Sequence, residues 1–315
     1  MQTERGGLQV GAVTEVVLLF VVGLLLLVVI GVLWGGMSGP LLSWLGLRAL
    51  STGRWAVIPQ VVLPELLGLC LPACLFLKWR QGSPACQDAP LDGSSLERLL
   101  QQLVAGLLLG GALFYFLGVW LLPLYERLVP LSPSEQRALL RMLVPPQGLR
   151  PLWIDLLTFA LCPALCEELF FRGAILRHLL AARADLPAEM AAWGMQKRAT
   201  AVVLSSLLFG IIHLSWGRLV PTSVLGAAFA LAVLRSGSLW TVIAMHFANN
   251  AVVVMLARQG ISSLTSVPMA TSGALLVPAC LALGLGIWLL KPRSTRIDSL
   301  QTAGPIGVNA GRTGR

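Results

Sequence analysis

Charged side chains make up only 12% of the 315 residues, about half of the share that soluble domains carry. Together with a hydrophobic content of 56%, this excludes a soluble globular domain and predicts an integral, multi-pass membrane protein. Alternation of apolar and polar residues is also missing, because the apolar segments are continuous, and a membrane β-barrel is therefore excluded. The fold class that remains is all-α, a polytopic bundle of transmembrane helices in a lipid bilayer.

Apolar segments along the chain predict about eight transmembrane helices. They cover residues 16–34, 55–77, 103–122, 152–171, 199–214, 219–234, 239–256 and 267–290. The second segment contains Pro59, Pro64, Pro72 and Glu65, so we expect a kinked or broken helix there. The third, 103–122, contains no charged residue and no proline. Several segments in the second half fall short of the roughly 20 residues that cross a bilayer unaided, which suggests a thinned or water-filled region.

The distribution of positive charge predicts the orientation of the chain. The net charge is +9, but the basic residues are dispersed among loops and tail, which argues against nucleic acid as a partner. Fifteen of the 23 lysines and arginines fall on the side that both termini share, so both termini are predicted to be cytoplasmic. In a prokaryote this would be the plasma (inner) membrane. No cleavable signal peptide is evident, and 16–34 is predicted to be a first transmembrane helix or signal anchor.

Histidine is rare, and its positions are informative. The chain has three histidines, of which His213 and His246 lie inside apolar segments. Glu167 and Glu168 end another apolar segment, and Arg172 follows one helical turn later. Charges at membrane depth are costly and are rare unless they have a function. Glu168 and Arg172 share a helix face and can pair, which leaves Glu167 free to face a cavity. The alternative is an interfacial cluster where the helix leaves the bilayer.

Two further pairs of residues are spaced four apart on predicted helices. Phe209 and His213 share one helix face, and His246 and Asn250 share another. The second pair could hold an oxyanion, bind a polar ligand or cross-link two helices. Two histidines and a glutamate are also a zinc-hydrolase ligand set, although the common His-Glu-x-x-His motif is absent.

In this order the motifs resemble a known family. Glu-Glu-x-x-x-Arg is followed about forty residues later by Phe-x-x-x-His, and about thirty residues after that by His-x-x-x-Asn. The set resembles the type II CAAX prenyl endopeptidases, also called the CPBP family of intramembrane proteases. Bacterial members were once grouped as abortive-infection or bacteriocin-immunity proteins. The resemblance covers roughly residues 150–256.

The resemblance implies an intramembrane endopeptidase that cuts a membrane-associated peptide or a lipid-modified protein. Glu167 would match the glutamate that activates water, assisted by His213. His246 and Asn250 would match the pair that holds the oxyanion. No cofactor is favoured, but if zinc is bound, the resemblance puts its ligands at Glu167, His213 and His246.

The resemblance also implies supporting residues and a division of the chain. Glu168 and Arg172 would form a supporting ion pair, and Phe209 is counted with them because it shares a helix face with the first motif histidine. We expect N-terminal transmembrane helices in 1–150, a core carrying the site in 151–260, a last transmembrane helix in 261–292 and a disordered cytoplasmic tail in 293–315.

Two other functions remain open at this stage. A proton-coupled transporter could use Glu65 and the glutamate–histidine set as a proton relay, since intramembrane ionisable residues often mark such paths. A catalytically silent membrane scaffold or immunity protein of the same fold would tolerate the loss of Glu167.

Overall fold

A computed structural model describes residues 10–46, 53–80, 96–144, 148–181, 191–260 and 273–290, which form nine helices and one short 3₁₀ turn, without a strand. The helices are α1 (Val10–Trp44), α2 (Val57–Trp79), α3 (Leu96–Glu126), α4 (Pro133–Leu143), α5 (152–181), α6 (Ala191–Ile211), α7 (Trp216–Ser236), α8 (Leu239–Arg258) and α9 (Leu276–Leu289). The predicted all-α polytopic bundle is confirmed. The predicted disordered tail, 293–315, lies outside the described residues.

Five described helices, α1, α2, α3, α7 and α8, are long and apolar enough to cross a membrane, and α9 is a shorter apolar helix. Each of the eight predicted segments falls on a helix, although residues 267–272 of the last one lie outside the described part. Helix α4, between the third and fourth segments, was not predicted. The chain is therefore an integral membrane protein, and its orientation in the bilayer stays a prediction.

The helices differ in length and regularity from the apolar segments that predict them. Helices α6 and α7 have 21 residues each, which is longer than the apolar segments 199–214 and 219–234. Polar residues such as Lys197 extend α6 beyond its apolar part, and the thinned or water-filled region stays a prediction. Helix α3 contains a π-helical stretch at Tyr115–Leu121. In α2 the expected break takes the form of a π-helical stretch, Glu65–Cys70, beside Pro64.

Helix α5 lies at the centre of the bundle. Two π-helical stretches, Leu156–Leu161 and Leu169–Leu176, flank its middle segment Cys162–Glu168. The helix continues to Ala181, so the acidic pair lies near the middle of α5 and not at its end. Every residue from Phe170 to Leu176 is buried, as expected of a helix that other helices surround on all sides.

Helices α3 and α8 pack closely because two glycines leave room for the α8 backbone. A Cβ atom on Gly106 would lie 2.3 Å from the carbonyl oxygen of Thr241, and one on Gly110 would lie 2.2 Å from that of Met245. The small-xxx-small spacing of the glycines is a sequence signal for such an approach. Since His246 follows Met245, this contact also fixes the position of the second motif histidine.

We expect Gly110→Ala to lower the free energy of unfolding by about 1–3 kcal/mol, because the added methyl group overpacks the α3–α8 contact. The measurement is unfolding in mixed detergent micelles with increasing sodium dodecyl sulfate. Gly111→Ala is the matched control, since a Cβ there meets nothing within 4 Å. It should be neutral or slightly stabilising, because alanine favours helix. Equal stability of the two variants would contradict the packing argument.

A buried ion cluster, formed by Arg150, Asp155 and Arg258 and called the Asp155 cluster below, ties several segments together. Asp155 accepts a hydrogen bond at 2.5 Å from Arg150 Nε and one at 2.6 Å from Arg258 Nη1. Arg150 also donates to the carbonyl oxygens of Arg54 and Met142. The cluster thus joins α4, α5 and α8 to the chain before α2. In the sequence, Asp155 is the feature that points to this cluster, because an acidic residue inside an apolar segment needs a charged partner.

Candidate active site

The predicted acidic pair is buried in the middle of α5. Glu168 is 0% exposed and Glu167 is 8% exposed. Arg172 Nη1 donates to Glu168 Oε1 at 2.9 Å, the pairing that their spacing predicts. Arg172 Nη2 donates to the carbonyl oxygen of Gly226 in α7 at 2.8 Å. Since the pair is enclosed within the bundle, the interfacial-cluster alternative does not hold.

Three phenylalanines enclose the guanidinium group of Arg172. Its Cζ lies 4.4 Å from the ring centroid of Phe209, 5.3 Å from Phe229 and 5.9 Å from Phe171. Aromatic faces attract a cation and keep water from it. Of these contacts, Phe229 and the Gly226 carbonyl were missed by sequence reasoning, because both lie in α7 and no local spacing links them to α5.

His246 stands between the two glutamates. Its Nδ1 lies 2.8 Å from Glu168 Oε1, and its Nε2 lies 3.9 Å from Glu167 Oε2. A carboxylate only accepts hydrogen bonds, so Nδ1 is the donor and Glu168 Oε1 is the acceptor. The ring is 4% exposed. One imidazole from α8 therefore contacts both acids of α5, with its second nitrogen turned toward Glu167.

His213 follows the end of α6 and is joined to the site through Phe209. Its Nδ1 lies 2.9 Å from the carbonyl oxygen of Phe209 and must donate to it. The Phe209 ring centroid lies 5.4 Å from that of His213 and 5.8 Å from that of His246. Both motif histidines thus lie at one level of the bundle. The early start of α6 at Ala191 makes this possible.

Asn250 lies one turn beyond His246 on α8 and is partly buried. Its Oδ1 accepts a hydrogen bond from Asn249 Nδ2 at 3.3 Å. Among the described contacts, no hydrogen bond joins Asn250 to the acids of α5. The structure therefore brings together both glutamates, Arg172, Phe209 and His246, with His213 against Phe209 and Asn250 one turn away.

The zinc alternative was tested on the donor groups. In both histidines Nδ1 donates to an oxygen acceptor, which is the usual support for a metal-binding Nε2. However, no three His, Cys, Asp or Glu side chains of the described residues are arranged to hold a metal ion. The possible ligand set Glu167, His213 and His246 is therefore not arranged as a metal site in this structure.

Comparison with known proteins points to one family. The family described as "Rce1-like: Type II CAAX prenyl endopeptidase Rce1-like" matches residues 149–252, which are 104 of the 315 residues. The match runs from just before α5 into α8 and includes every residue of the site described above. The resemblance found in the motifs is thereby confirmed. No curated protein and no solved structure matches the chain.

Proposed function

We propose that this protein is an intramembrane endopeptidase of the CAAX-processing type, which hydrolyses a peptide bond in a membrane-associated peptide or lipid-modified protein. The observation that carries the proposal is the contact of one buried imidazole, His246, with both Glu167 and Glu168. Charged groups are expensive inside a membrane bundle and are retained there for function. This set also lies within the region that matches the peptidase family.

Glu167 is proposed to activate the attacking water. Its Oε2 is buried and has no hydrogen-bond partner among the described residues, so this oxygen can accept a hydrogen bond from the attacking water. In the first step the carboxylate takes a proton from water, and the hydroxide oxygen bonds to the substrate carbonyl carbon. The proton then passes to the departing amine as the carbon–nitrogen bond breaks. His213 is proposed to assist by orienting the water.

His246 and Asn250 are proposed to stabilise the oxyanion that forms on the substrate. The Nε2 atom of His246, which stands beside Glu167, is proposed to donate the hydrogen bond to the oxyanion. Glu168 holds Nδ1 and so fixes the ring orientation. Arg172 balances the charge of Glu168, since both side chains are fully buried.

Reconstitution in liposomes tests the proposal. The purified protein is incubated with an S-farnesylated CAAX peptide and a panel of other lipid-anchored peptides, and the products are identified by mass spectrometry. We expect cleavage at one bond, with one ¹⁸O atom from labelled water in the new carboxyl group. The His246→Ala protein should give no product. A wild-type protein that cleaves none of the peptides but conducts protons in a Glu65-dependent way would favour the transporter instead.

The oxyanion role predicts an intermediate effect at Asn250. We expect Asn250→Ala to lower kcat by about 10²–10³-fold, the usual cost of losing one oxyanion donor. Met255→Ala, at an exposed position of the same helix, is the matched control, and it should retain most of the activity. The measurement is kcat on the best peptide of the panel. Equal losses in the two variants would contradict the proposed role of Asn250.

A further inference from the structure

Glu65 is an acidic residue of α2 that the proposed mechanism does not use. It lies outside the region that matches the peptidase family. It is the first residue of the π-helical stretch Glu65–Cys70, which follows Pro64 directly. Such stretches inside α-helices are frequent at functional sites, and an acid within an apolar segment needs a reason.

The position of Glu65 links α2 to the acidic pair of α5. The stretch Glu65–Cys70 packs along Cys162–Glu168 of α5. Glu65 is close enough to Glu167 to interact with it electrostatically. Glu65 also interacts with Cys162, one and a half turns earlier on α5. The carboxyl group of Glu65 is therefore turned toward the side of α5 that carries Glu167.

Unsatisfied oxygens mark the space between these two acids. Glu65 Oε2 and Glu167 Oε2 are both buried, and neither has a hydrogen-bond partner among the described residues. Buried polar atoms normally have a partner, and exceptions call for a functional explanation. A polar space of this kind suits a bound water or a polar group of a substrate.

The charges around the two acids decide which of them is neutral. Two adjacent buried carboxyl groups cannot both be ionised at low cost. Glu167 has His246 beside it. No ion pair of Glu65 is formed among the described residues. Glu65 is therefore the acid of the two without an ion-pair partner, and a carboxylic acid at this position can donate a hydrogen bond.

We propose that Glu65 is a positioning residue of the peptidase site, whose neutral carboxyl group donates a hydrogen bond that orients Glu167 and the water it activates. This inference rests on the proposed function. It adds an element from the N-terminal half of the chain to a site whose other members all come from α5 to α8. Helix α2 then completes the site instead of only flanking it.

Two substitutions of Glu65 test the proposal. Glu65→Gln keeps a donor and an acceptor of similar shape, so it should retain most of the wild-type kcat. Glu65→Leu removes the hydrogen bond, and we expect kcat to fall by about 10²-fold with little change in KM, the usual effect of a misoriented catalytic group. Leu66→Ala, at the neighbouring lipid-facing position, is the matched control and should be fully active.

Several outcomes would overturn the proposal. It is overturned if Glu65→Gln loses as much activity as Glu65→Leu, because an ionised carboxylate would then be required. It is also overturned if Glu65→Leu is as active as the wild type. Thermal unfolding in detergent shows whether each variant is folded, and Glu65→Met replaces Glu65→Leu if the latter is not. A glutamine variant that is folded and loses no activity, beside an inactive Glu65→Leu or Glu65→Met, supports the proposal.

A parallel measurement of Glu167→Gln separates this inference from the proposed function. If Glu167→Gln keeps its peptidase activity, the water-activating role of Glu167 fails, and the role of Glu65 fails with it, whatever the Glu65 variants do. If Glu167→Gln is inactive while Glu65→Leu behaves as the wild type, the function stands and only the role of Glu65 fails.

Discussion

Glu167→Gln should lower kcat for peptide hydrolysis by about 10²–10⁴-fold, the range that general-base catalysis supplies. Glutamine has nearly the same size and still forms hydrogen bonds, but it cannot take a proton from water. The side chain is buried and stands 3.9 Å from His246 Nε2, so no bulk solvent is expected to replace the lost base. The measurement is single-turnover cleavage of a lipid-anchored peptide in liposomes.

The control for Glu167→Gln is Glu126→Gln, which removes a partly exposed carboxylate at the end of α3 that is not among the proposed site residues. It should leave kcat unchanged. Thermal unfolding of both proteins in detergent shows whether a loss of activity reflects chemistry or misfolding. A folded Glu167→Gln protein with wild-type activity would refute the water-activating role of Glu167, whereas a wild-type protein without activity would favour the silent scaffold or the transporter.

Asp155→Ala should lower the free energy of unfolding by about 3–5 kcal/mol, the cost of leaving a buried charge without its partner. Asp155 accepts from Arg150 Nε and Arg258 Nη1, and the Arg150 side chain is fully buried. Removing the carboxylate leaves two guanidinium groups facing each other at one end of α5. The measurement is the unfolding midpoint in mixed micelles of increasing sodium dodecyl sulfate content.

Arg141→Ala provides the comparison for the Asp155 prediction. Arg141 is exposed on α4 and precedes Met142, whose carbonyl oxygen accepts a hydrogen bond from Arg150. The Arg141→Ala variant therefore removes a nearby arginine without breaking the Asp155 cluster. Surface changes of this kind alter stability by no more than about 0.5 kcal/mol. If Asp155→Ala is no less stable than Arg141→Ala, the cluster does not hold the helices together.

Local patterns in the sequence predicted the helices and one ion pair. The Glu168–Arg172 contact follows from a spacing of four residues on one helix, and apolar segments mark all eight predicted helices. The hydrogen bond from His246 Nδ1 to Glu168 was not predicted, because it depends on how α5 and α8 are set against each other. The contact of Phe229 with Arg172 and the packing of the Glu65 stretch on α5 were missed for the same reason. Their positions depend on packing between helices, which no single-helix spacing encodes.

Helix irregularity is the other reason why sequence reasoning fell short. Counting residues at 100° each assumes a regular α-helix, but α2, α3 and α5 all contain π-helical stretches. A face assigned on one side of such a stretch does not carry over to the other side. Glu168 and Arg172 escape this problem because only one turn separates them. The start of α6 at Ala191 was hidden for a different reason, since Gln196, Lys197 and Arg198 interrupt the apolar pattern in its second turn.

The π-helical stretch Leu156–Leu161 also bears on how chains related to this one can differ in length. A π-helical turn, with hydrogen bonds from i to i+5, accommodates about one more residue than an α-helical turn. Losing one residue there while returning to a regular α-helix leaves the remainder of α5 facing the same neighbours. A one-residue gap within 156–161 in an alignment is therefore compatible with an unchanged site. A one-residue gap between Glu168 and Arg172 would instead shorten their four-residue spacing, and the two side chains would no longer share a helix face.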